Sequence, residues 1–270
     1  VPILVGKKAF KNISKDEILN EFKGKIANYK IPKDIIFVQE MPKNALGKII
    51  LDEVKKIVNS KKNISEVKIA GCLPPLYGSY KPESAPSLEE CTERYHVIAK
   101  KQAPHIDLFI CETMSSIKEA KASITAGISH NIETWCAMTV SDKEDSKLRS
   151  GEKLDTAIKH LSKLKYQTNL INCSTPETVT LSLKTLKKDK KPFGAYANGF
   201  TSIDALQIGG TVDVLKARHD LSPESYLDHV LNWINAGASI IGGCCEISPA
   251  HIKVIFDRLN NLGYRVSGSL

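Results

Sequence analysis

Three cysteines follow apolar, strand-like runs and could together bind a metal ion. Cys173 closes the run NLINC, and Cys244 and Cys245 directly follow the run ASIIGG. Thiolates are strong ligands for Zn²⁺, and a site with three protein ligands leaves the fourth tetrahedral position open, as catalytic zinc sites do. We therefore predict one Zn²⁺ ion held by these three residues, with an open position for a substrate.

The elements that must position these cysteines alternate between strands and helices. This order predicts an α/β fold with a parallel sheet and right-handed crossovers. Ser87, Ser116, Thr175, Ser222 and Ser248 are expected N-caps. The predicted strands are 67–71, 106–111, 133–140, 169–173, 193–197 and 239–243. The predicted helices are 87–103, 117–126, 154–164, 176–186, 223–236 and 249–262.

The polar and sulfur residues fall where strands end, which favours a barrel over an open doubly wound sheet. In a (β/α)₈ barrel the C-terminal strand ends meet at one mouth, whereas an open sheet spreads them along a crevice. Only six of the eight strands can be counted. We expect an incomplete (β/α)₈ TIM barrel with open edges beside Val67 and Ser239.

The charge is concentrated in the first part of the chain. Residues 1–63 hold 14 Lys and seven acidic residues, so seven of the eight net positive charges lie there. The lysines are scattered with little aromatic interleaving, which indicates a solvated surface rather than a nucleic-acid site. The polar stretch 55–63 predicts a boundary between a small α+β segment, 1–62, and the barrel segment, 63–270.

Seven cysteines without a secretory leader fit a reducing compartment in which thiols serve metal binding or catalysis. No apolar run approaches the roughly 18 residues of a membrane span. We therefore expect a cytoplasmic protein with neither nucleic acid nor membrane as a partner, and the oligomeric state stays open. Cys72, Cys91, Cys111 and Cys136 are expected in the core, because cysteine is among the most buried residue types. The seven histidines show no metal-ligand spacing and are expected on helices or the surface.

Residues 65–262 contain a series of short motifs, which are IAGCLPP at 69–75, YGSY at 77–80, FICETM at 109–114, INC at 171–173, YANG at 196–199 and IGGCC at 241–245. In this order they resemble the homocysteine S-methyltransferase family. This resemblance implies that Cys173, Cys244 and Cys245 bind zinc and that Glu112 binds the amino group of homocysteine. Asn198 resembles a residue at the mouth of the family's substrate site. The implied reaction moves a methyl group from a small donor to homocysteine and gives methionine.

The chemistry of such a site can be stated from its residues. A free thiol has a pKa of about 8.5 and is mostly protonated at neutral pH, whereas binding to zinc removes the proton. Three cysteine thiolates around Zn²⁺ give a net charge of −1, which keeps electron density on an incoming sulfur. A separate general base is then not required, and positioning of an activated methyl donor becomes the other half of catalysis.

Residues 1–58 contain the motifs ANYKIPK at 27–33 and MPKNALGK at 41–48. They resemble the end of the C-terminal domain of adenylate-forming acyl-CoA ligases. This resemblance implies that Lys48 matches a lysine that contacts the acyl-adenylate, although we expect Lys48 to be idle without an adenylating domain. Two alternatives to methyl transfer therefore stay open, a relic of an acyl-CoA ligase and an inactive zinc-binding protein.

Overall fold

The computed structural model describes residues 3–7, 14–22, 34–38, 41–44, 49–50, 53–54, 56–57, 68–143, 146–264 and 266. The chain divides into two compact units, which are residues 1–68 with 264–270 and residues 69–263. The predicted boundary after residue 62 lies outside the described residues and stays a prediction.

The first unit contains a small α+β arrangement, as predicted. Strands β1 (Ile3–Lys7) and β2 (Asp34–Val38) pair in parallel, and helix α1 (Lys15–Phe22) lies between them in the chain. At the start of α1 the Ser14 hydroxyl accepts a hydrogen bond from the Glu17 amide at 3.2 Å. The Glu17 carboxylate in turn accepts one from the Ser14 amide at 2.7 Å. This reciprocal capping satisfies two backbone donors and fixes where the helix begins.

The second unit is a six-stranded, all-parallel sheet whose strands follow one another in chain order. The strands are β3 (Ala70–Leu73), β4 (Leu108–Met114), β5 (Glu133–Met138), β6 (Thr168–Asn172), β7 (Phe193–Tyr196) and β8 (Ile240–Ile241). The helices are α2 (Leu88–Gln102), α3 (Ile117–Ile128), α4 (Leu154–Leu161), α5 (Pro176–Leu186), α6 (Pro223–Ala236) and α7 (Pro249–Asn261). The sheet does not close, so β3 and β8 are its edges. The prediction of an incomplete barrel with about six strands is confirmed.

The main hydrophobic core joins the strands to the helices. Phe109, Cys111 and Cys136 from the sheet and Tyr95 and Trp233 from the helices are fully buried in it. Burying a side chain of the size of Phe contributes roughly 1.5–3 kcal/mol. Successive residues of a strand face opposite sides of the sheet. The residues of β4 that alternate with Phe109 and Cys111 therefore lie on the face of the sheet away from this core.

The N-caps explain where most helices start. The hydroxyls of Ser87, Ser116 and Ser222 accept hydrogen bonds from backbone amides of α2, α3 and α6, as predicted. The prediction for Thr175 is wrong in one respect, because its side chain makes no cap hydrogen bond. Its hydroxyl lies 2.9 Å from the Thr178 hydroxyl instead. Among the described helices, none combines the length and apolar composition that crossing a bilayer requires.

Candidate functional site

The three predicted sulfur ligands meet at the C-terminal edge of the sheet. Cys173 follows β6, Cys244 and Cys245 follow β8, and their Sγ atoms all lie within 4.8 Å of one another. The Sγ atoms of Cys244 and Cys245 are 3.9 Å apart. Tetrahedral coordination with Zn–S bonds of about 2.3 Å requires sulfur atoms roughly 3.8 Å apart. The pair Cys244 and Cys245 has this spacing, and Cys173 lies close enough to share one metal ion with them.

Backbone hydrogen bonds to β7 and the loop after it bring these cysteines together. The Cys173 amide donates to the Tyr196 carbonyl at 3.2 Å, and the Cys244 amide donates to the Ala197 carbonyl at 2.9 Å. The Gly199 amide donates to the Cys245 carbonyl at 2.8 Å. The residues that follow β6 and β8 are thus held on either side of the same segment.

The structure differs from the sequence expectation in the redox form of two of the three sulfurs. Cys173 and Cys244 are joined by a disulfide, with their Cα atoms 5.7 Å apart, and Cys245 is free. Zinc ligation requires thiolates, so the disulfide must first be reduced by two electrons, and any protons that the two sulfurs then take up are released when the metal binds. In this form Cys173 and Cys244 are therefore not free to bind a metal ion, whereas the three cysteines fit Zn²⁺ in ligand type and lie close enough together to share one ion once they are reduced.

Strained backbone surrounds the cluster. Of the six non-glycine residues with positive φ in the described part of the chain, four line or adjoin it: Tyr80, Thr113, Cys173 and Glu246. Such conformations cost of order 1–3 kcal/mol each and persist only where neighbouring contacts determine them. At Cys173, with φ of 47°, the carbonyl accepts hydrogen bonds from the Thr139 hydroxyl at 3.1 Å and from Arg149 at 3.2 Å.

Glu112 lies beside the sulfur cluster because Asn172 ties the ends of β4 and β6 together. The Asn172 side chain accepts a hydrogen bond from the Thr113 amide at 3.1 Å and donates one to the Thr113 hydroxyl at 2.8 Å. Burial, together with the charge of Glu112, raises the pKa of the Cys245 thiol. The half-buried Glu112 carboxylate accepts a hydrogen bond from the Cys72 thiol at 3.2 Å.

Glu112 and the three cysteines line one cavity of about 370 Å³. Its other walls are Pro74, Pro75, Tyr77, Gly78, Ser79, Tyr80, Thr113, Leu206, Gln207, Gly209, Gly210 and Val212. Among these described lining residues there is no Lys, Arg or His, so Glu112 is the charged side chain of the wall. The cavity combines soft sulfur ligands, one carboxylate and two phenol rings, which suits a small molecule with a thiol and a cationic group.

Asn198 lies behind this cavity rather than in its wall. It is 1% exposed, and its side-chain oxygen accepts a hydrogen bond from the Phe200 amide at 3.3 Å. Its Nδ2 atom is buried without a hydrogen-bond partner among the described residues. A role for Asn198 in binding substrate stays a prediction.

The remaining cysteines and histidines mostly lie where the residue types predict. Cys91, Cys111 and Cys136 are buried in the core. The expectation that Cys72 is a core residue is wrong, because its thiol is partly exposed and contacts Glu112. His251 lies in α7, and its Nδ1 accepts a hydrogen bond from the Ser248 amide at 3.0 Å.

Sequence reasoning also missed Tyr80 and Arg149, which both border the sulfur cluster. Tyr80 is 7% exposed, and the Arg149 guanidinium lies 4.9 Å from the centre of its ring. Both residues stand in segments outside the helices and strands, where no periodic pattern distinguishes a buried side chain. The second tyrosine of the sequence YGSY was the available signal for Tyr80.

Parts of the chain are similar in sequence to known proteins. The sequence profile of a family described as homocysteine S-methyltransferase matches residues 34–259. Homocysteine S-methyltransferase 2 of Arabidopsis thaliana is 26% identical over 170 residues, which are 62% of this chain and 49% of that protein. An indoleacetate–CoA ligase of Aromatoleum aromaticum is 43% identical over 44 residues, which are 16% of this chain and 9% of that protein.

The fold also has a close counterpart among solved structures. The metallated form of the homocysteine methyltransferase MmuM from Escherichia coli superposes with a TM-score of 0.62 and 21% identity, over 77% of this chain and 67% of that chain. At this identity the match establishes the fold alone. The chain spans about half the length of the curated relatives that it matches.

Proposed function

The chain belongs to the homocysteine S-methyltransferase family, and from this membership and the geometry of the site we propose that it transfers a methyl group to the thiol of homocysteine, giving methionine. We further propose that Cys173, Cys244 and Cys245 hold one Zn²⁺ ion for this reaction. The observation that carries the proposal is the placement of three sulfur atoms within 4.8 Å of one another in the same cavity as Glu112.

The cysteines contribute ligand chemistry. A bound zinc ion supplies Lewis acidity that lowers the pKa of a substrate thiol. Three thiolate ligands donate electron density to the metal, which leaves the substrate sulfur more nucleophilic than neutral imidazole ligands would. Cys173 and Cys244 must be reduced to act in this way, so we propose a reducing compartment such as the cytoplasm as the site of activity.

Glu112 contributes recognition of the amino group. In the described part of the chain no Lys or Arg forms a salt bridge with it, so the charge of the carboxylate is available to a ligand. An ammonium group at about 4 Å gains roughly 4 kcal/mol of Coulomb energy at the effective dielectric constant of a protein surface, before desolvation is subtracted. Binding at Glu112 orients the amino-acid end of the substrate while its thiol points to the cysteines.

The remaining walls contribute positioning of the methyl donor. The rings of Tyr77 and Tyr80 and the Pro74–Pro75 pair give the cavity an apolar wall. The guanidinium groups of Arg94 and Arg149 already lie 5.4 Å and 4.9 Å from the centres of these two rings, so the rings contribute apolar contact rather than a free site for a cation. A small, activated methyl donor suits these walls, and positioning two reactants in line is itself a large part of catalysis.

The zinc site can be tested on the reduced protein by elemental analysis. We expect about one zinc per chain in the wild type and in the control Cys91→Ala, which removes a buried thiol near the start of α2 that is not part of the sulfur cluster. Cys173→Ala is expected to lose most of the metal. Equal zinc content in Cys173→Ala and the wild type would contradict the ligand assignment.

The reaction is tested by following methionine formation from homocysteine with a panel of donors that includes S-methylmethionine, betaine and a methylated folate. Methionine that depends on both substrates and on zinc supports methyl transfer. Zinc binding without uptake of homocysteine would instead support the alternative of an inactive zinc-binding protein.

An acyl-CoA ligase function is the second candidate, favoured by the 44-residue match to the indoleacetate–CoA ligase. Lys48, which would contact the adenylate, lies outside the described residues. Exchange of pyrophosphate into ATP in the presence of a carboxylic acid would reveal this activity, and Lys48→Ala would abolish it.

A further inference from the structure

The Cys72 thiol is placed directly against the carboxylate of the site. Cys72 in β3 stands opposite Ile110 in β4, and paired residues of neighbouring strands face the same side of a sheet. Glu112 follows two positions after Ile110 and therefore shares this face. The resulting distance between Cys72 Sγ and Glu112 Oε2 is 3.2 Å, which is a good hydrogen bond for a sulfur donor.

The backbone of Cys72 is fixed although β3 is an edge strand. The side chain of Gln102, the last residue of α2, donates a hydrogen bond to the Cys72 carbonyl at 3.0 Å. Gly71 makes room for this contact, because a Cβ atom there would lie 2.6 Å from Gln102 Oε1. The thiol thus points at Glu112 from a supported position.

The thiol is suited to act as a neutral donor. Burial, reinforced by the charge of Glu112, raises the pKa of Cys72 well above its ordinary value, so it keeps its proton at neutral pH. A protonated thiol can restrict the rotation of a carboxylate without compensating its charge. A Lys or Arg at the same position would compete with the ammonium group of a ligand.

We propose that Cys72 is a positioning residue for amino-acid recognition, whose S–H bond holds Glu112 so that the rest of the carboxylate faces the cavity and binds the ammonium group of the thiol substrate. This inference rests on the proposed function. It assigns to Cys72 a part in choosing α-amino thiols over thiols that lack the amino group.

The test measures binding by calorimetry on the zinc-loaded, reduced protein with two probes, homocysteine and 4-mercaptobutanoate, which lacks the amino group. Cys72→Val removes the donor, Cys72→Ser keeps one, and Cys91→Val is the matched control at a buried thiol. We expect Cys72→Val to weaken homocysteine roughly 5- to 10-fold, because a hydrogen bond to a charged group is lost. The affinity for 4-mercaptobutanoate should not change, and Cys72→Ser should keep the wild-type preference.

Two results would overturn the inference while leaving the proposed function in place. One is an unchanged preference in Cys72→Val, and the other is an equal loss for both probes, which would indicate a merely structural role. In a double-mutant cycle, adding Glu112→Gln to Cys72→Val should cost less than Glu112→Gln alone, since the two residues act together.

A ligand-free measurement separates this inference from the proposed function. The infrared S–H stretch of Cys72, assigned by difference from Cys72→Ser, should shift when Glu112→Gln weakens the acceptor. An unshifted band would refute the thiol–carboxylate contact itself. A shifted band together with a wild type that binds neither probe would instead refute the proposed function, and the role in recognition with it.

Discussion

Replacing Arg149 with Met should weaken both the fold and the zinc site, because one side chain connects four neighbours. Its guanidinium forms an ion pair with Asp142 at 2.9 Å, where the two side chains are 9% and 20% exposed. It donates hydrogen bonds to the Thr139 hydroxyl at 2.8 Å and the Cys173 carbonyl at 3.2 Å. It also lies 4.9 Å from the centre of the Tyr80 ring.

The expected loss of stability follows from the charge of Asp142, which loses its partner when Arg149 is replaced with Met. Removing one partner of a buried ion pair costs about 3–5 kcal/mol, because the other charge stays buried without compensation. Asp142 also accepts a hydrogen bond from the Thr175 amide at 2.9 Å, which offsets part of this loss. We therefore expect the free energy of unfolding to fall by about 3 kcal/mol. Zinc affinity should fall roughly 10- to 100-fold, as it does when groups that orient metal ligands are removed.

Urea unfolding gives the change in stability, and competition with a zinc chelator gives the change in affinity. Arg94→Met is the matched control, since Arg94 also forms an ion pair, with Glu90, and also lies close to a tyrosine ring, 5.4 Å from the centre of Tyr77. This pair differs in being exposed, with 52% of the Arg94 side chain and 45% of the Glu90 side chain accessible to solvent. An exposed pair contributes about 0–1 kcal/mol. If Arg149→Met were no more destabilising than Arg94→Met and bound zinc as tightly as the wild type, the assigned role of this network would be refuted.

Three further outcomes follow from the same structure. Zinc uptake, measured by elemental analysis, should require reduction of the disulfide between Cys173 and Cys244. Oxidised protein should bind little zinc, and treatment with a phosphine reductant should restore about one equivalent. Zinc uptake that does not depend on the reductant would contradict this. Gly194→Ala should destabilise the chain by at least about 1–3 kcal/mol in urea unfolding and lower zinc affinity, because the new Cβ would collide with the backbone of Ile240 and push β8 from β7. Burial raises the pKa of Glu119 above its ordinary value of 4.5, so the folded state binds the proton more tightly than the unfolded state does. The free energy of unfolding should therefore fall as the pH rises from about 4.5 through the raised pKa of the folded state. Glu119→Gln should flatten this dependence in unfolding measured across the pH range, and an unchanged slope would exclude Glu119 as its source.

The helix bounds that the sequence predicted best are those with a proline after a capping residue. Helices α5 (Pro176–Leu186) and α6 (Pro223–Ala236) begin and end as predicted. Proline is favourable in the first turn because its missing amide would have no partner there. Strand β8 was predicted over 239–243 but extends only over Ile240 and Ile241, although the amides of Ser239 and Gly242 still donate hydrogen bonds to β7. The extent of pairing at a sheet edge depends on a neighbour that lies far away in the chain.

The sulfur cluster was predictable because parallel topology alone brings the ends of strands to one edge. Its redox form was not, since the sequence determines which thiols meet and the surroundings determine whether they are oxidised. Cys72 was assigned to the core from residue type, which is an average over many proteins. Its contact with Glu112 depends on the register between β3 and β4, and a shift by one residue would turn the thiol to the other face.

The site and the edge of the sheet depend on each other. Strand β8 is short, with flanking backbone hydrogen bonds from Ser239 and Gly242 to β7, and it carries Cys244 and Cys245 just beyond its end. A link from Cys173 to Cys244 spans 71 residues of sequence, and closing a loop of this length restricts the unfolded chain by about 4 kcal/mol in the chain-entropy description. A disulfide and a shared metal ion both provide such a link. The chain with neither should therefore be the least stable form, and its loss of stability should begin at the strand that carries two of the three ligands.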